Sequence, residues 1–267
     1  MRVGTSGWNY PEWRGAFYPD GLVHRRELAY LAERLNSVEL NGSFYSLQRP
    51  SSYRRWAADT PPDFRFAVKG GRYLTHLKRL VDFQDGLANF FASGVLALGA
   101  RLGPVLWQFP ANLTFDADRL DRFLAALPYR TTEAVDVARR HTDKLAEDRV
   151  YLETDADREI RHAIEPRHDS FGSPEALAVL RAHNVAMVAA DTAGTWPYFE
   201  ELTADFGYVR LHGHTELYHS DYAETELSAW ADKIRSWDRD TYVYFDNTDA
   251  GHAPGNALTL AEMLSDR

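Results

Sequence analysis

Three features of the sequence predict a single-domain (β/α)8 barrel of the α/β class. Eight short β-branched or aromatic runs recur, amphipathic helical patterns separate them, and composition shows no break along 267 residues. The runs lie at Arg2–Ser6, Ser37–Leu40, Phe64–Lys69, Val105–Phe109, Arg161–Glu165, Val185–Ala190, Tyr208–Leu211 and Thr241–Phe245. Strand–helix alternation implies parallel pairing, because each crossover returns the chain to the same end of the sheet. Eight units close into a barrel more naturally than they spread into an open sheet, and one domain spanning 1–267 is expected.

The helices follow from spacing. Leu28, Leu31, Ala32 and Leu35 form one apolar stripe, as do Leu120, Phe123, Leu124 and Leu127, and again Leu227, Trp230, Ala231 and Ile234. Ser173-Pro174-Glu175 opens a helix with a capping hydroxyl and a proline at its first position, and Asp116 and Asp118 can serve the start of the helix after the fourth strand. Residues 131–160 are charged and predict an extra helical insertion between strands four and five, with Arg139-Arg140-His141 on a solvated face.

Composition narrows the function. The balance of 45% hydrophobic and 26% charged residues is that of a globular protein, and the formal net charge of −9 argues against a generic nucleic-acid coat or an anionic-membrane binder. With no cysteine, thiolate nucleophiles, disulfides and Cys-based metal sites are excluded. Met1-Arg2-Val3-Gly4 starts a strand at once, so no signal peptide is expected, and no run approaches the ~20 apolar residues of a membrane span. A cytoplasmic protein without membrane contact is the expectation. G-x-G-x-x-G after the first strand, the Walker loop, H-E-x-x-H and G-x-S-x-G are all missing, which removes the common nucleotide folds, zincins and the nucleophile elbow.

In this fold the C-terminal strand ends build the site. Here they read Ser6 with Trp8; Glu39, Asn41 and Tyr45; Lys69, Arg72 and His76; Gln108; Glu165, Arg167 and His168; Asp191; Arg210 and His212; and Asp246 with Asn247. Any one of these also reads as structural, the carboxylates as ion-paired groups, the histidines and Trp8 as packing, Asn41-Gly42 as a turn. Together they polarise all eight ends, which a packed apolar barrel would not do.

Two chemistries follow. Lys69, Arg72, Arg167 and Arg210 form a cationic set suited to a phosphate or carboxylate ligand. Glu39, Glu165 and Asp191 are candidate acid–base groups, or ligands of a divalent metal with His168 or His212, although Lys69 beside them weakens the metal reading. The leading expectation is a hydrolase or lyase for a phosphate-bearing substrate. In it Lys69, Arg167 and Arg210 hold the anion, Glu165 or Glu39 moves the proton, and His212 or His168 assists; nucleic acid stays open as a substrate. The alternatives are a glycoside hydrolase using Glu39 and Glu165, with Trp8, Tyr45 or Trp107 stacking on sugar, and a non-catalytic protein that binds a small anion or nucleic acid.

The same strings resemble the bacterial and archaeal family known as domain of unknown function 72. The resemblance runs from Gly4-Thr5-Ser6-Gly7-Trp8 to Asn247 and the Gly255-Asn256-Ala257 segment. It rests on Val38-Glu39-Leu40-Asn41 with Phe44-Tyr45, Phe66-Ala67-Val68-Lys69, Thr75-His76, Leu102-Gly103-Pro104-Val105-Leu106 with Gln108-Phe109-Pro110, Glu165-Pro166-Arg167-His168 and Tyr208-Val209-Arg210-Leu211-His212-Gly213. It implies a TIM-like barrel and adds Asn256 to the candidate ligand-binding residues, but implies no established reaction. Phe171 stands where similar proteins usually carry tryptophan, and Asp246 where an asparagine is usual.

Overall fold

The structure, a computed structural model, describes residues 1–265. Its strands are β1 (Arg2–Ser6), β2 (Ser37–Leu40), β3 (Arg65–Lys69), β4 (Leu102–Gln108), β5 (His162–Glu165), β6 (Ala186–Met187), β7 (Ala189–Asp191), β8 (Gly207–Leu211) and β9 (Thr241–Phe245). All pair in parallel, in the order β6-β5-β4-β3-β2-β1-β9-β8-β7. Strands β6 and β7 are the expected sixth strand interrupted at Val188, whose N–H donates to Ile164 while β6 pairs β5 and β7 pairs β8. The barrel is thereby nearly closed. Strand β4 begins three residues earlier than its apolar run, at Leu102, and stops at Gln108 because Phe109 already turns into the loop.

The principal helices are α1 (Glu27–Ala32), α2 (Gly42–Tyr45), α3 (Pro50–Ala58), α4 (Gln84–Ala92), α5 (Ala117–Ala125), α6 (Thr131–Ala138), α7 (Pro174–Ala182), α8 (Glu224–Ser236) and α9 (Ala253–Ser265). Asp116 caps α5 by accepting from the Arg119 N–H, and Ser173 caps α7 by accepting from the Ala176 N–H. Helix α6 is the expected insertion, and Arg139 and Arg140 beyond its end are exposed. Asn41-Gly42 is no plain turn, since Asn41 leads into the short α2.

The two faces of the barrel wall carry different residues. Val38, Phe66, Val68, Val105, Trp107, Ile164, Val209 and Val243 point outward and merge with the helices into one apolar core. The alternate residues point inward, and Ala67, Leu106, Ala163, Ala186, Val188, Ala190, Tyr208, Tyr242 and Tyr244 form a second, separate cluster. Branched side chains thus pack beneath the helices, while alanines and three tyrosines fill the interior. One step further along each strand, the inward series becomes polar: Ser6, Glu39, Lys69, Gln108, Glu165, Arg210 and Asp246. That step is the mouth.

Candidate functional site at the barrel mouth

Strand alternation places Arg210 at the centre. It stands two residues after Tyr208 on the inward face of β8 and is fully buried. A guanidinium has five N–H donors, and every one meets a protein group. Nε donates to Glu39 Oε2 at 3.1 Å and Nη2 to Glu39 Oε1 at 2.7 Å. Nη2 also reaches Asp246 Oδ2 at 3.0 Å and Ser6 Oγ at 3.1 Å, while Nη1 donates to Glu165 Oε2 at 2.6 Å and to His212 Nε2 at 3.2 Å. An isolated buried guanidinium would be very costly, and three carboxylates compensate it. The anion-holding role expected for Arg210 is therefore filled by the protein's own glutamates and aspartate, leaving no donor for a ligand.

The carboxylates are correspondingly fixed. Glu39 also accepts from Ser6 Oγ at 2.5 Å and from the Tyr208 hydroxyl at 2.6 Å. Burial alone would raise the Glu165 carboxyl, but Arg210, Arg167 and His212 hold it well below the usual carboxylate range. Asp246 is likewise pulled below its ordinary value against burial, by Arg210, His212 and Lys69. His212 Nδ1 lies 3.0 Å from Asp246 Oδ2, off the line of a well-formed hydrogen bond, and its ring is fully buried.

Both carboxylate readings narrow here. A glycosidase needs one carboxyl that carries a proton and one that is ionised, and a Glu165 held ionised by two arginines would leave the acid role to Glu39. A divalent metal needs free carboxylate oxygens, and those of Glu39 and Glu165 are engaged by Arg210, Arg167, Ser6 and Tyr208. Among the described residues no group of three or more His, Asp or Glu converges as a ligand set.

Above this plug opens a cavity of 650 Å³, lined by Tyr10, Asn41, Phe44, Tyr45, Lys69, Arg72, His76, Leu77, Gln108, Arg167, Tyr218, Asp246 and Thr248. Its walls are cationic. Arg167 donates Nε and Nη2 to Glu165 Oε1 at 3.3 and 3.2 Å and stacks over Trp196, its guanidinium carbon 3.4 Å from the ring centroid. Arg72 is exposed at the rim. Burial, with Arg167, Lys69 and Arg72 nearby, pushes His76 down to about 4, so the ring is neutral near pH 7.

Lys69 is the distinctive member. Lys69 is 8% exposed, yet no hydrogen bond or ion pair ties its Nζ to any described residue, and the Nζ sits over the Phe44 ring, 4.5 Å from its centroid. Burial, reinforced by the Arg210 charge and opposed by Glu39, Asp246 and Glu165, brings its pKa down to about 8.

The remaining candidates lie elsewhere. His168 turns its Nδ1 back to accept from the Ser170 N–H at 3.2 Å and starts the 3-10 helix Asp169–Gly172, away from the cavity. Asp191 binds His214 Nδ1 at 2.9 Å and accepts from the Tyr222 hydroxyl, lining a neighbouring cavity of 490 Å³ with Trp196 and Trp230. Trp8 packs edge-on against Trp56, and Trp107 is buried in the helix-facing core. Asn247 and Asn256 bond each other, Nδ2 to Oδ1 at 2.8 Å, and Asn247 also holds the Ser220 carbonyl at 2.9 Å, fixing the loop after β8. That loop turns at Gly213, where φ is 112° and a Cβ would strike the Glu216 carbonyl. Tyr10, Phe44, Leu77, Tyr218 and Thr248 join the cavity without having been singled out as site residues. Only Phe44, in the Phe44-Tyr45 string, left a signal.

No helix among the described residues is long and apolar enough to cross a membrane. A family model described as "Protein of unknown function DUF72" matches residues 2–267. The UPF0759 protein YecE of Escherichia coli K12 is 26% identical over 98% of this chain and 92% of its own length. A DUF72 family protein of Thermotoga maritima superposes with a TM-score of 0.77 at 27% identity, over 99% of each chain. One from Enterococcus faecalis does so with a TM-score of 0.73 at 17% identity, over 100% of this chain and 96% of the other.

Proposed function

The chain belongs to the DUF72 family, whose description names no reaction, and from the mouth's geometry we propose an enzyme site for a small phosphate-bearing substrate in which Lys69 moves the proton. One observation carries this reading. A nearly buried lysine amine opens into a cavity walled by Arg72, Arg167 and neutral His76, with its pKa lowered to about 8. At that value roughly a tenth of the amine is unprotonated at pH 7 and about half at pH 8, and that fraction can act as a general base.

Between hydrolase and lyase, the carboxylates favour the lyase. Glu39 and Glu165, the groups expected to activate water, have their oxygens engaged by Arg210, Tyr208, Ser6 and Arg167. An amine beside two arginines instead suits removal of a proton from a substrate carbon whose phosphate the arginines hold. Arg210 serves this arrangement from behind, by fixing the carboxylates whose field acts on Lys69.

Thermal unfolding of the purified protein with inorganic phosphate, triose and sugar phosphates and a dinucleotide tests the reading. A ligand present at a hundred times its Kd stabilises by about 2.7 kcal/mol. Stabilisation by at least one phosphate ester, weakened in Arg167→Ala and Arg72→Ala, is expected. A Tm unmoved by every compound would overturn the assignment, and a response to the dinucleotide alone would redirect it to nucleic acid.

A further inference from the structure

We infer that Lys69 is a carbonyl-capturing lysine, which forms an imine with an aldehyde or ketone that also bears a phosphate. The inference rests on the reading of the mouth as a phosphate site, and in it Lys69 acts on the substrate proton through an imine that acidifies the neighbouring carbon rather than as a free base.

The placement of the amine supports it. The Lys69 carbonyl accepts from Ser43 Oγ at 2.7 Å, and the next N–H, of Gly70, donates to Leu106 at 2.8 Å. Gly70 lies so near Trp107 that a Cβ there would sit 2.2 Å from the indole. The backbone on both sides of Lys69 is therefore pinned, and its side chain runs inward to place Nζ over the Phe44 ring. A lysine kept for charge balance would contact the carboxylates, but those are bonded to Arg210 and Arg167 while Lys69 contacts none of them. A largely buried amine with no hydrogen-bonding or ionic partner, beside a second cation, has the environment that activates lysine as a nucleophile. Arg72 and Arg167 line the same 650 Å³ cavity and would take the anionic end.

The step balances without an oxidant. The Nζ lone pair attacks the carbonyl carbon, the π electrons move to oxygen, and one N–H proton ends on that oxygen. The hydroxyl then leaves with the second N–H proton as water, and the C=N bond remains. Protonation of the imine returns a cation to the position that the ammonium held, within the field of Glu39, Asp246 and Glu165.

Borohydride trapping tests this, because hydride reduces the imine to a stable secondary amine. The full-length protein is treated with dihydroxyacetone phosphate, or with hydroxyacetone as the phosphate-free ketone, then reduced and mapped by mass spectrometry. The chain has only four lysines, so the map is unambiguous. Adduct on Lys69 is expected, with Lys78, Lys144 and Lys233 unlabelled, and with the phosphorylated ketone faster by about tenfold or more. Lys69→Arg abolishes it while unfolding at a native-like temperature. Equal rates for the two ketones would leave the imine standing and count against the phosphate reading. A protein that phosphate esters stabilise but that shows no Lys69 adduct, or label spread over all four lysines, overturns the inference and leaves the phosphate reading intact.

Discussion

Arg210 grips Glu39 with two nitrogens, Nη2 to Oε1 at 2.7 Å and Nε to Oε2 at 3.1 Å, although 171 residues separate them in the chain. This bidentate pair joins β8 to β2 across the barrel, and the same guanidinium reaches β5 through Glu165 and the end of β9 through Asp246. Its removal leaves three buried carboxylates facing one another. Arg210→Met is expected to cost about 3–5 kcal/mol, the range for breaking a buried pair on one side. Urea unfolding measures it, and a loss below about 1 kcal/mol would show that the barrel tolerates an open mouth.

The Asn247–Asn256 pair holds the long loop between β8 and α8. Asn256 Oδ1 accepts from Asn247 Nδ2 and from the Tyr222 N–H, and its Nδ2 donates to Asp221 at 2.8 Å. Asn256→Ala removes these bonds, leaves Asn247 Nδ2 only the Ser220 carbonyl and the Tyr222 N–H only Asp221, and is expected to cost about 1–3 kcal/mol. Limited proteolysis within residues 213–221 should then be faster than in the natural chain. An unchanged rate would mean that Gly213 and Ser220 suffice to set the loop.

Lys69 makes an unusual stability prediction. Its pKa is lowered on folding, so the folded state disfavours the charged amine below about pH 8, and the penalty disappears as pH rises through the unfolded value near 10.4. Lys69→Met removes that penalty and should be more stable than the natural chain at pH 7, by up to about 3 kcal/mol for a shift of this size. The advantage narrows between about pH 8 and 10. Thermal unfolding of both proteins at pH 7 and pH 9.5 checks it. A less stable Lys69→Met at pH 7 would make the lysine a structural cation.

The fold was legible because it is a local property. Short β-branched and aromatic runs gave the strands within a few residues, and Asp116 and Ser173 marked helix starts by their own chemistry. The two-residue period of a strand separates Asp246, which points into the mouth, from Asn247, which points to the Ser220 carbonyl, and applied to β8 it would have turned Tyr208 inward with Arg210. The partnerships were not legible. Whether Arg210 meets a substrate or Glu39 depends on strands brought together by closure, and no local pattern records that. His168 follows Arg167 directly, yet the chain turns there to start a 3-10 helix, so the ring serves as a cap. Tyr10, Tyr218 and Thr248 enter the cavity from loops whose paths depend on how the helices pack. Tyr218 stands at a φ of 64°, which nothing in its side chain foretells.

Asp246 gives the last prediction. The groups acting on Lys69 are Arg210, which lowers its pKa beside burial, and Glu39, Asp246 and Glu165, which raise it. Asp246→Asn removes one raising charge and leaves Arg210 with one fewer counterion. The pKa of Lys69 must then fall, so the amine is neutral over a wider pH range. Imine trapping or turnover, plotted against pH, should rise through a midpoint below that of the natural chain, which is expected at about 8. The neighbours set the sign: with Arg72, Arg167 and neutral His76 also lining the cavity, the net change is toward positive charge. Coincident midpoints in the two proteins would mean that Asp246 is screened from Lys69. A midpoint displaced upward would mean that Arg210, partly released, no longer repels the amine from its present position.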